Sequence, residues 1–190
     1  MMTAAELQAF EREVADAFEA KQITAPIHLS DGNEAQLIAI FQNVKPTDWV
    51  FSTWRSHYHA LLKGVPRDLI IRDILAGRSM ALHFPEQRFF TSAIVGGTLP
   101  IACGVAKACA PGERVWCFVG DMTASIGAFH DAERYASGYA LPIRFVVEDN
   151  GLSTNTPTKE TWGHGTEPVT QRYTYTRTYP HVGGGVYVAF

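Results

Sequence analysis

The chain has 190 residues, 46% of them hydrophobic, enough for one complete core and too few for two large ones. A net charge of −3, with 16 Lys and Arg scattered among 19 Asp and Glu, leaves no basic footprint for nucleic acid or an anionic membrane surface. No apolar run approaches the ~20 residues of a membrane span, and the acidic start, Met1 to Arg12, lacks the layout of a secretory signal. Cys103, Cys109 and Cys117 are odd in number and show no metal-ligand spacing, so they read as reduced thiols of a cytoplasmic protein.

The first predicted element is an amphipathic helix over 3–20. Thr3 and Glu6 form a capping-box pattern, and Leu7, Phe10, Val14 and Phe18 recur at helical spacing. Residues 25–30 read as an extended entry segment, and Asp31 to Asn33 as a turn before a helix carrying Ala35, Leu37, Ile38, Ile40 and Phe41. Residues 46–60 hold an aromatic and basic block with Trp54, Arg55, His57 and His59. Pro66 suits the first turn of a helix running to Leu75, with Gly77 at its C′ position. Residues 78–92 read as irregular, and a helix follows Gly97, from about Leu99 to Ala110, with small residues on one face.

Two strand-like runs come next, Arg114 to Val119 and Ile143 to Val147. The first leads into Gly120, Asp121 and Met122, the second into Asp149, Asn150 and Gly151, with a helical crossover between. Parallel pairing of these runs would bring Asp121 and Asn150 together at the carboxyl edge of one sheet, where open α/β sheets bind ligands. A carboxylate and an amide oxygen are hard donors that suit Mg²⁺ or Ca²⁺ better than zinc. A cation held by so few protein oxygens shares its shell with phosphates. Beyond Thr154 the pattern changes. Residues 154–165 give no clear helix or strand signal, Arg172 to Arg177 alternates Thr and Tyr like a strand, and Val186 to Phe190 reads as a short strand and a natural terminus.

Asp121 and Asn150 at this spacing resemble the Gly-Asp-Gly … Asn-Asn fingerprint of thiamine diphosphate enzymes. The block Asp48 to Val65 and the glycine-rich turn and helix Ala93 to Ala106 resemble one branch of that superfamily, the α subunit of 2-oxoacid dehydrogenase E1 components, the acetoin dehydrogenase type included. The resemblance spans roughly residues 45–160. It implies a three-layer α/β thiamine diphosphate-binding fold, with a mostly parallel sheet flanked by helices, and it makes residues 1–190 a single diphosphate-binding domain with an irregular or β tail at 154–190.

It also assigns roles. Asp121, Asn150 and the carbonyl of Leu152 would ligate Mg²⁺. Gly120, Asp121, Met122, Thr123 and Asn150 would form the diphosphate loop, with Trp54 and Arg55 donating to phosphate oxygens. Ile94, Val95 and Gly96 would meet the aminopyrimidine and wedge the cofactor into its bent shape. His57 and His59, two apart and on one face if extended, would donate to phosphate or carry protons. Met122 stands where the family usually has glycine, Asp149 where it usually has the first Asn, and Trp54 where it usually has Tyr.

The glutamate that protonates the pyrimidine belongs to a second domain, expected here on a β-type pyrimidine-binding subunit (an α₂β₂ assembly) or on another copy in a homodimer. The family's later histidine-bearing loop would lie beyond this chain, and nothing in the spacing of His164 or His181 marks either as its replacement. The implied activity is decarboxylation, or acyl or ketol transfer, on a 2-oxoacid or ketose-like small molecule. The alternative is a non-catalytic scaffold or regulatory relative. A Rossmann-type dinucleotide binder is disfavoured, because no Gly-x-Gly-x-x-Gly follows an early strand.

Overall fold

The computed structural model describes residues 2–163 and Thr174. The Thr/Tyr alternation at 172–177 and the strand expected at 186–190 lie outside the described residues, Thr174 apart. Helix α1 (Ala4–Glu19) opens on the capping box read from the sequence: the Thr3 amide donates to the Glu6 carboxylate at 2.7 Å, and the Glu6 amide to the Thr3 hydroxyl at 3.3 Å. Its Leu7, Phe10 and Val14 are buried, while Phe18 is 40% exposed. Helix α2 (Glu34–Phe41), strand β1 (Trp49–Ser52), helix α3 (His57–Leu62) and helix α4 (Arg67–Leu75) follow, and Gly77 adopts φ +79 just past the cap of α4.

Residues 78–92 depart from the irregular segment expected. Strand β2 (His83–Phe84), a 3₁₀ turn and strand β3 (Phe89–Thr91) make a small antiparallel pair, with β3 also pairing in parallel with β1. Helix α5 (Thr98–Ala108), strand β4 (Val115–Gly120), the short helix α6 (Asp121–Ala124), helix α7 (Gly127–Gly138) and strand β5 (Ile143–Glu148) complete the body. A second difference lies after it. Strands β6 (Leu152–Ser153) and β7 (Thr156–Pro157) pair, and helix α8 (Thr158–Trp162) forms in a stretch without a helix signal of its own.

The sheet order is β2-β3-β1-β4-β5, parallel except for β2. Side chains alternate across β4 as strand geometry requires. Trp116 and Phe118 join Val50 in a core roofed by α1 to α4, while Val115, Cys117 and Val119 join Phe51 in a core roofed by α5 and α7. Those two cores on opposite faces make the three layers. The small residues of α5 allow close approach to α7, where the Cys103 thiol reaches the carbonyl of Ala132 at 3.7 Å. Burial pushes the Cys117 thiol up to about 12, as expected of a core residue rather than a reactive one. No helix among the described residues is long and apolar enough to cross a membrane.

Asp48 ties the start of β1 to β4. Its buried carboxylate accepts from the Lys45 amide at 3.0 Å, the Arg114 amide at 3.0 Å and the Trp116 indole at 3.1 Å. Replacing it orphans three donors, so Asp48→Ala is expected to lower stability by about 3 kcal/mol. A urea denaturation at unchanged m-value checks this, and a loss under ~1 kcal/mol would show the carboxylate to be incidental.

Candidate active-site cleft at the carboxyl edge of the sheet

The β4–β5 register, running from Val115 opposite Ile143 to Gly120 opposite Glu148, delivers the two strand ends side by side. A cleft of about 510 Å³ opens at that edge. Its walls include Asp31, Asn33 and Gln36 around the start of α2, Thr53, Trp54 and Arg55 after β1, residues 120–123 after β4 and residues 148–150 at the end of β5. The sequence-predicted residues Trp54, Arg55, Gly120, Asp121, Met122, Thr123, Asn150 and Leu152 thus share one cavity.

Asp121 is only 8% exposed, and its Oδ2 accepts a hydrogen bond from the Thr158 hydroxyl. Asp149 and Asn150 each close a local turn, accepting from the Gly151 and Leu152 amides at 2.9 Å. Gly151 takes φ +71, a conformation open to glycine at little cost, which turns the chain back toward α6. Met122 sits inside α6, and its sulfur accepts from the Trp162 indole at 2.9 Å.

Ile94, Val95 and Gly96 are not among the cleft residues. They form a tight turn before α5, with Ile94 73% exposed and Val95 also open to solvent. Gly96 has φ +73, and a Cβ there would come within 2.9 Å of Ile126.

The expectation that His57 and His59 share one face of an extended segment needs correction. They lie on α3, not on an extended segment, and two residues on a helix differ by roughly 200° in direction. Both are buried, and neither lines the cleft. His57 bridges Glu11 through Nδ1 and Ser79 through Nε2, each at 2.9 Å. His59 packs edge-on to Phe118, with Nε2 3.2 Å from the Glu148 carboxylate.

Sequence reasoning missed several residues at or behind the walls. Glu148 accepts from the Asn33 side-chain Nδ2 at 2.9 Å, joining the start of α2 to the end of β5. Tyr58 donates to Glu34 at 2.9 Å. Burial pushes the Glu34 carboxyl up, but hydrogen bonds from the backbone and Tyr58 outweigh it and hold the group below its ordinary value. His28, in the entry segment, stands 5.8 Å from the Trp54 ring between centroids. Partial burial lowers its pKa, followed by the charge of Arg55 and then by His57. The one signal in the sequence was a polar stretch, residues 28–34, just ahead of a helix, which is weak without knowing what it faces.

The family described as "Dehydrogenase E1 component" matches residues 2–176. The chain belongs to the dehydrogenase E1 component family. It is similar to the alpha subunit of acetoin:2,6-dichlorophenolindophenol oxidoreductase from Bacillus subtilis (strain 168), 29% identical over 165 residues that cover 80% of this chain and 50% of the relative. It is also similar to the pyruvate dehydrogenase E1 component subunit alpha of Porphyra purpurea, 33% identical over 144 residues, or 65% of this chain and 42% of the relative. The chain thus spans about half the length of the curated relatives it matches, or less.

The implied diphosphate and divalent cation fit these donors. The buried Asp121 carboxylate and the Arg55 guanidinium both border the cleft, and among the described residues neither forms an ion pair. A carboxylate out of water calls for a cation, and a free guanidinium for an anion. Loss of the Arg55 charge should raise the midpoint of its neighbour: in Arg55→Ala, the His28 imidazole is expected to titrate at higher pH than in wild type, followed by NMR. An unmoved midpoint would mean that Arg55 does not face His28.

Proposed function

We propose that this chain is the diphosphate- and cation-binding subunit of a split thiamine diphosphate-dependent enzyme of the E1 type. It acts on a 2-oxoacid or ketose-like substrate by decarboxylation, or by acyl or ketol transfer. The observation that carries the reading is the pairing, across one cleft, of a buried carboxylate and a guanidinium, both without ionic partners among the described residues. Family membership supports it.

In this reading Asp121, Asn150 and the Leu152 carbonyl hold Mg²⁺. Arg55 and Trp54 grip the diphosphate from the opposite wall, the guanidinium supplying a planar fork of donors. Residues 120–123 border the diphosphate. Bound thiamine diphosphate supplies the electron sink for breaking or making a bond beside a carbonyl. His57 and His59 act at a distance as positioning residues: His57 clamps α3 to α1 and to Ser79, and His59 braces Glu148 at the cleft wall.

Ile94, Val95 and Gly96 meet the aminopyrimidine at an interface. Support comes from the exposure of Ile94 and Val95 on one turn and of Val147, Leu152 and Trp162 near the cleft, apolar surface of the kind a partner covers. That partner is a β-type pyrimidine-binding subunit in an α₂β₂ assembly, or a second copy in a homodimer. The free cysteines suit a reducing compartment, and we place the protein in the cytoplasm. Met122 on the cleft wall favours a second reading, a scaffold that keeps the fold without the chemistry.

Calorimetric titration of the full chain with thiamine diphosphate and Mg²⁺, alone and with a β-type chain, separates the two. Binding is expected, and Asp121→Ala should weaken it by at least the roughly 100-fold upper end seen on losing an outer-shell partner. The assembled pair should then release CO₂ from a 2-oxoacid. Absence of binding in both conditions would leave only the scaffold.

A further inference from the structure

Helix α8 is anchored at both ends onto the residues that follow β4. At its start the Thr158 amide donates to the Gly151 carbonyl at 2.9 Å, tying the helix to the Asn150 turn, while the Thr158 hydroxyl donates to Asp121 Oδ2. At its end the Trp162 indole donates to the Met122 sulfur at 2.9 Å. Five residues with no buried side chain have little reason of their own to be helical. These contacts define where α8 sits, and they point its first hydroxyl at the one carboxylate of the cleft that is nearly closed off from water.

Among the described residues Thr158 is the only hydrogen-bond donor to the Asp121 side chain. That bond occupies Oδ2 and leaves Oδ1 uncommitted. A ligating carboxylate needs this kind of support, because an outer partner fixes the plane of the group and so the direction of its remaining lone pairs. The second anchor matters for the same reason. A hydroxyl on a loose surface turn orients nothing, whereas one held by a backbone bond on one side and an indole–sulfur contact on the other has a defined position.

We propose that Thr158 is a positioning residue for the divalent cation: its hydroxyl orients the Asp121 carboxylate, and the Trp162–Met122 contact holds α8 so that it does. The inference rests on the reading of Asp121 as a cation ligand. It also gives Met122 a role that glycine could not fill, that of receiving the far end of the helix.

The test uses the full chain with Mn²⁺ and inorganic pyrophosphate, so that only the diphosphate half of the site is probed, with bound Mn²⁺ followed by electron paramagnetic resonance. Thr158→Val, which keeps the shape and loses the donor, should weaken Mn²⁺ binding by about 10- to 100-fold. Thr158→Ala should do the same without added bulk, Thr158→Ser should restore nearly wild-type binding, and all three should melt with the metal-free wild type. Val and Ala variants that bind as tightly as wild type, or more tightly, would overturn the positioning role. So would a Ser variant as weak as Val. A wild-type chain that takes up no Mn²⁺ beside pyrophosphate would instead bring down the reading of Asp121 itself.

Discussion

The parallel register of β4 and β5 is the constraint on which the cleft depends. It sets Gly120 opposite Glu148, so Asp121, one residue past β4, and Asn150, two residues past β5, leave the sheet at the same edge. A slip of one residue would displace the two ends by roughly 3.3 Å. It would also exchange the faces of β5, sending Val146 to the α5 and α7 side and Phe145 to the other. The hydrophobic cores on the two faces therefore hold the site in place. A polar pair at the strand ends needs no other device to meet, provided the apolar residues behind it are correctly sorted.

The opposite wall is held by buried polar contacts rather than by a sheet. Glu11, His57 and Ser79 join α1, α3 and the segment after α4, and Glu11 also accepts the Ser30 amide at 3.0 Å at the end of the entry segment. Tyr58 with Glu34 and Asn33 with Glu148 continue the chain of contacts to β5. Buried polar side-chain atoms without a hydrogen-bond partner in the described residues are Asn33 Oδ1, Ser52 Oγ, Ser56 Oγ and both ring nitrogens of His59. Ser52 and Ser56 flank Trp54 and Arg55, and Asn33 and His59 both approach Glu148. Asn33 lines the cleft, while Ser52, Ser56 and His59 are buried beside residues that do, so unmet polar capacity lies at and just behind the wall, whereas elsewhere a fold satisfies such groups.

Much of this was legible from residue order alone, and the reason is local. The capping box of α1, the Pro66 and Gly77 bounds of α4, the small-residue face of α5 and the apolar runs of β4 and β5 each carry their signal within a dozen residues. The paired strand ends followed from β-α-β connectivity. What was not legible depends on distant partners. β3 is three residues long, too short for any periodicity, and is a strand because β1 lies beside it. α8 is a helix because Trp162 finds Met122 and Thr158 finds Asp121. The histidines of α3 looked like site residues because their surroundings, Glu11, Ser79 and Phe118, lie far away in sequence. His28 looked like nothing in particular for the same reason.

Met122 shows how a departure from a motif can be sorted by structure. Glycine at such a position could be needed for its backbone or for its lack of a side chain. The backbone argument fails here, because Met122 lies in right-handed helical α6 and is not among the residues with positive φ. The chain therefore bears no conformational penalty for a Cβ at this point. What remains is space, and the side chain spends part of its length reaching Trp162. Since Met122 still borders the cleft, the substitution bears on what can approach the loop rather than on how the loop folds. A flexible thioether is the mildest large side chain to place there, because its three rotatable bonds let it yield to a ligand where a branched residue would not.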